Sequence, residues 1–162
     1  MNWKEEETQT SRITKESLQK RFIKEELMRY YFYLGRAKDI KAEIEEFKIE
    51  YEEELNNPVF GGSIIQMPNG ISEKEHIVIR LNARLKDMED NLKYYISKMD
   101  TLDAWLNYIT PAQQKIIKVY VIQYQCQERN HAAAELRCSE ETIKKQVERA
   151  INRIHTNFKE FS

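Results

Sequence analysis

The side chains with the widest chemical repertoire are scattered along this chain. The histidines are His76, His131 and His155, each on a different expected helix, and the cysteines are Cys126 and Cys138. A zinc site built from them would need short-spaced pairs such as C-x-x-C or H-x-x-x-H, and neither occurs. No arrangement of nucleophile, base and acid emerges, so no enzyme, no cofactor and no metal site is expected. Cys126 reads as a small core residue and Cys138 as a turn filler. His131 and His155 read as solvent-facing or close to a polyanion. Gly61-Gly62 is not followed by the Lys-Ser/Thr of a phosphate loop, and no strand precedes it. The acidic run Glu50 to Glu54, broken only by Tyr51, reads as a solvated helix face.

One other pattern carries chemistry. Ser139, Glu140, Glu141, Thr142, Lys144, Lys145, Glu148 and Arg149 fall within eleven consecutive positions. Ile143, Val147, Ala150 and Ile154 recur among and just after them at helical spacing. A helix over 140–155 therefore has an apolar back and a charged front. Such a front reaches base edges and phosphates in a DNA major groove. Lys144 and Lys145 are candidates for phosphate or guanine, Glu141 for a cytosine amino group, and Arg149 for phosphate.

That helix needs elements to present it. Ser139 can cap it, and Glu140 and Glu141 suit its positive N-terminal end. A short helix at about 128–136 precedes it, joined through Arg137-Cys138-Ser139. Ala132-Ala133-Ala134 would let the two helices approach closely. Before them, Thr110, Pro111 and Gln113 spell a capped helix start with a capping box. Ile116, Ile117, Tyr120, Val121 and Tyr124 then give a single apolar face. Together these make a three-helix unit ending in a helix-turn-helix.

The first two thirds of the chain read differently. Residues 1–13 are polar and expected to fray. A helix is expected from about Thr14 to Leu55, with Ile23, Leu27, Tyr30, Leu34 and Ala37 on one face. Ile40, Ile44, Phe47 and Tyr51 follow after a one-residue phase shift, the mark of a stammer or bend near Gly35. Residues 56–71 hold three of the four glycines and two of the three prolines, so the chain reverses there. Ser72 and Glu75 suggest a capping box for the next helix. Its seam runs Val78, Leu81, Leu85, Met88, Leu92, Tyr95, Met99, Leu102, Leu106 and Ile109 without a break. A heptad seam of this kind implies coiled-coil pairing. The expectation is a long antiparallel helical hairpin over 14–109, used for oligomerisation, followed by the helix-turn-helix over 110–162; the alternative is that the second long helix pairs with its copy in another chain. A homodimer is expected from helices this long with little else to bury against.

Composition agrees with an all-α chain. Charged residues are 33% of 162 and glycine and proline number only 4 and 3, too few turn formers for an all-β fold. No apolar run reaches membrane-spanning length and the first residues are not signal-like, so a cytoplasmic location with reduced thiols is expected. The net charge of −1 hides an asymmetry. From Thr110 onward nine Lys/Arg face six Asp/Glu, so the expected DNA reader carries +3, the sign that phosphate binding requires.

Residues 132–154 resemble the end of sigma-factor region 4, whose pattern is IAExLGVSxxTVxxxxxRALxxL. Ala133, Leu136, Ser139, Thr142, Ile143, Arg149, Ala150 and Ile154 fall in register. Arg137 stands where the pattern has Gly, so the turn must avoid the left-handed region or be strained there. Ala132 replaces a larger apolar residue. Over about 20–155 the chain also resembles the RinA-type phage transcriptional activators. Phe22 to Tyr30 is similar to that family's YIExELxxY. Gly61, Gly62, Glu73 and Lys74 match a Gly-Gly loop followed by Glu-Lys, and Met88 to Tyr120 matches its next two helical segments. The resemblance implies a DNA-binding activator of phage late genes, acting in the cytoplasm of a bacterial host, and whether it contacts RNA polymerase stays open. Two alternatives stay open: a small-terminase-like packaging subunit, and a helical adaptor that binds no DNA.

Overall fold

The computed structural model describes residues 3–56 and 73–161. The loop at 57–71 and the Ser72 cap lie outside them. Every regular element among the described residues is helical. They are α1 (Trp3–Met28), α2 (Tyr30–Leu55), α3 (Glu73–Tyr108), α4 (Pro111–Ile116), a π-helical segment (Ile117–Gln123), α5 (Arg129–Leu136) and α6 (Glu140–Asn157). A 3₁₀ turn (Lys159–Phe161) ends the chain. No helix among the described residues is long and apolar enough to cross a membrane.

Two expectations about the first helix need correction. It begins at Trp3 rather than near Thr14. It also does not continue to Leu55, because the chain breaks at Arg29, six residues before Gly35. The physical reason is visible in the backbone. The Arg29 N–H turns back to the Glu26 carbonyl at 3.0 Å, and the carbonyl of Met28 accepts from the Gln125 side chain at 2.8 Å. A carbonyl at the helix end thus finds its donor elsewhere in the fold. Gly35 lies inside α2, with open space where a side chain would begin.

The described chain forms two compact units. One is residues 33–98, drawn from α2 and α3. Tyr33 meets Tyr95 with ring centroids 6.2 Å apart, Arg84 lies 5.3 Å over Phe47, and the Tyr51 hydroxyl reaches Asn82 at 3.5 Å. Numbers rise on α2 as they fall on α3, so within this unit the two helices run in opposite directions. Ile40, Ile44, Phe47 and Leu81 are buried. Leu85, Met88, Leu92 and Tyr95 are half-buried. The Arg36 guanidinium also lies over Tyr95, 5.7 Å from its centroid, where the face of the ring attracts the cation.

The other unit joins residues 1–32 to 99–162. Its boundary does not fall at Thr110, because α1 and the end of α3 pack with the C-terminal helices. The expected seam is therefore shared between two cores. Leu81 to Tyr95 serve the first unit, and Met99, Leu102 and Leu106 are buried in the second. Trp105, 1% exposed, anchors the second core, and its indole N–H donates to Glu160 at 3.1 Å. Phe158 and Phe161 stand 6.5 and 5.8 Å from it. Phe161 also meets Phe22 of α1 and His155 of α6. The final turn thus clips α1, α3 and α6 together through one aromatic cluster.

Candidate nucleic-acid interface

The interface is built from α4 upward. Thr110 accepts the Gln113 N–H at 3.2 Å, and the Gln113 side chain accepts the Thr110 N–H at 3.2 Å. The capping box expected from the sequence is present with Pro111 in the first turn. Gln113 does more than cap. It is buried, and its amide donates to Gln146 of α6 at 3.3 Å, which ties the start of α4 to the middle of the charged helix.

One regular helix was expected from Pro111 to Tyr124, but Ile117–Gln123 is π-helical. Tyr120, Val121 and Ile122 are all buried. In an ideal α-helix three successive residues sweep about 200°, too wide for one core face. The wider π turn brings them closer together. Segments of this kind are single-turn features that favour functional positions. The chain then passes through Gln125, Cys126 and Glu128 with φ of 55°, 60° and 52°. These non-glycine residues sit in the left-handed region at a cost. The Gln125 side chain holds the loop by donating to the carbonyls of Met28 and Ile122, and the Tyr120 hydroxyl donates to the Cys126 carbonyl at 3.0 Å.

Glu128 lies just outside α5, as its left-handed N-cap with no side-chain cap. Ala132 and Ala133 are buried, so the small side chains do let α5 approach its neighbours. Ala134 is exposed and takes no part. Arg137, at φ 55°, adopts the left-handed conformation that glycine would fill without strain. Its N–H bonds to the Ala134 carbonyl at 3.3 Å, and the Cys138 N–H to that of Ala133 at 3.1 Å.

Ser139 then opens α6. Its hydroxyl accepts the Thr142 N–H at 3.1 Å and lies 2.8 Å from the Thr142 hydroxyl. Both hydroxyls are engaged in the cap. Ile143, Val147, Ala150 and Ile154 are buried as their spacing predicts, and Ile151 joins them. Glu140, Glu141, Thr142, Lys144, Lys145, Glu148 and Arg149 are all exposed. The structure thus brings the candidate residues together on one helix, with its back fixed in a core. Cys126 and Cys138 are half-buried free thiols. Burial pushes the Cys126 thiol up, against the opposing influence of Lys24 and Arg129. His131 is exposed, 3.2 Å from Glu128. His155 is half-buried and pairs with Gln19 of α1 at 2.7 Å, so it is a packing residue. Among the described residues no three His, Cys, Asp or Glu side chains converge on a common point.

A cleft of about 670 Å³ lies between α1, the loop after the π segment, and α6. Met28, Tyr120, Val147 and Ile151 contribute its apolar lining, and Lys20, Arg21, Lys24, Arg129 and Lys144 its cations. Arg129 is fixed by lying 5.8 Å over the Tyr120 ring. Sequence reasoning missed this cleft because it placed α1 in a separate hairpin. The alternation of Lys20, Arg21 and Lys24 with the buried Ile23 and Leu27 was the available signal. Comparison with family models, curated proteins and solved structures gives no match.

Proposed function

We propose that this protein is a sequence-specific DNA-binding regulator of transcription and that α6 is its major-groove helix. One observation carries the reading. A capped helix presents Glu141, Lys144, Lys145, Glu148 and Arg149 to solvent along one side, while its opposite side is buried behind a short turn from α5. In helix-turn-helix docking the N-terminal turns of the second helix reach base edges and the preceding helix crosses the backbone. The charge balance from Thr110 onward, +3, suits phosphate. The similarity of 132–154 to sigma-factor region 4 supports the same role.

Activation of phage late genes is the finer reading, and it rests on the resemblance to the RinA-type activators. RNA polymerase is then the second partner. The antiparallel α2–α3 pair is the coiled-coil-like hairpin of this reading, and its half-buried seam supports a homodimer. Two copies would raise the modest affinity of one small basic surface by presenting two readers to adjacent half-sites. Selection of bound fragments from a random duplex library, followed by footprinting, tests the assignment. A defined motif protected on one face of the duplex is expected. Enrichment of no sequence above background would refute sequence-specific reading.

A further inference from the structure

The cleft beside α6 has an uneven distribution of charge. Lys20 and Lys24 approach from α1, Lys144 from α6, and Arg129 from the start of α5. The carboxylates nearby are Glu25 and Glu148 on the lining, Glu16 one turn back, and Glu140 and Glu141, whose charges act on Arg129. Glu25 is held by Arg21 at 2.9 Å and Glu16 by Lys20 at 3.1 Å. Both are surface pairs, which bind weakly and exchange readily for a stronger anion. Lys144 stands next to Lys145 on the helix that is assigned to the major groove. The cations of α1 therefore face the flank of that helix, where a phosphate strand runs when a groove is occupied.

We propose that α1 is a second DNA-contacting element, with Lys20 and Lys24 holding one phosphate strand across the cleft mouth from Lys144 and Arg129. The inference rests on the reading of α6 as the groove helix, and it gives the N-terminal helix a binding role besides packing. The packing itself makes the placement possible. His155 to Gln19 at 2.7 Å, Phe22 to Phe161 and Gln125 to the Met28 carbonyl fix the last ten residues of α1, 19–28, within the unit that carries α6. Lys20 and Lys24 are thus presented on a rigid helix, and little ordering is needed on binding. An acidic protein segment would match the same cations. DNA is favoured because a duplex held by α6 brings its phosphates to this flank without a further partner.

The test compares the full chain with K20A/K24A and with K144A/K145A on a mixed-sequence duplex, from 50 to 200 mM salt. Each lysine that holds a phosphate contributes about one unit to the salt slope. K20A/K24A should lower the slope by about two, so that the parent's advantage shrinks about tenfold across that range. The loss should be uniform across sequences. Unchanged far-ultraviolet circular dichroism and melting would keep the result clear of misfolding, and K20R/K24R should restore binding. Parent-like binding by K20A/K24A, with binding lost in K144A/K145A, would overturn the α1 contact and leave the α6 assignment standing. Parent-like binding by both variants would overturn the two together. A duplex affinity that is unchanged in K20A/K24A, with lost binding to polyglutamate, would assign the cleft to an acidic protein segment and overturn the proposal.

Discussion

At the scale of single residues, backbone conformation and capping are the most exposed to test. Arg137 holds φ 55° where the left-handed region costs a non-glycine residue about 1–2 kcal/mol. Arg137→Gly should therefore stabilise the fold by roughly 1 kcal/mol after the entropy of the unfolded glycine is set against the gain. Urea unfolding checks this, and a lower midpoint would contradict it. Ser139 caps α6 through the Thr142 N–H, so Ser139→Ala should cost about 1 kcal/mol and lower the melting temperature. Its hydroxyl is occupied, so the loss in DNA affinity should follow the loss in stability and not exceed it. Cys126 gives a pH-dependent outcome. Burial raises its pKa above the ordinary value, so the folded chain holds the thiol proton more tightly than the unfolded chain. The contribution is complete below the unfolded pKa of about 8.5 and is lost as pH rises through the higher folded value. Tyr30 acts in the same direction at higher pH, through burial and its hydrogen bond to Asp103. Melting scanned from pH 7 to 10 should fall less steeply for Cys126→Ala than for the parent, and parallel curves would contradict the assignment.

At the scale of elements, the apolar spacing of α6 and the caps at Thr110 and Ser139 were legible in the sequence. They are local signals, and local hydrogen bonds satisfy them. The break at Arg29 was not legible, because its cause lies in Gln125, 96 positions further along the chain. The π-helical turn was hidden for a related reason. Ile117, Tyr120 and Val121 fit α-helical spacing, and only the burial of Ile122 beside them requires a wider turn. The heptad seam was legible as apolar spacing, but spacing does not say which surface meets it. Leu81 to Tyr95 serve the unit of α2 and α3, whereas Met99, Leu102 and Leu106 enter the core around Trp105. Leu92 lies in the first group and is half-buried. Leu92→Asp should cost roughly 2–3 kcal/mol, as expected for a charge placed at a part-wet apolar site. If the seam also joins two chains, the sedimenting mass should halve. A variant with parent-like mass and melting temperature would rule out a structural role for this position.

At the scale of the molecule, residues with candidate function gather in the unit that joins the two ends of the chain. The exposed charged side of α6 was legible because an amphipathic helix separates its faces by spacing alone. The cations of α1 were not, since only tertiary packing brings Lys20 and Lys24 to the cleft that Lys144 lines. The division at residues 33–98 leaves the α2–α3 pair as a separate compact unit, apart from the unit that carries α6. The central claim is that α6 reads a duplex. Its most direct test is the affinity of Lys145→Ala and K144A/K145A for the selected duplex and for a random one, across several salt concentrations. The account predicts that Lys145→Ala loses about 1–3 kcal/mol on the selected duplex, with a smaller loss on the random one. It predicts that K144A/K145A loses most binding to both. Parent-like affinity of K144A/K145A for both duplexes at every salt concentration would contradict it.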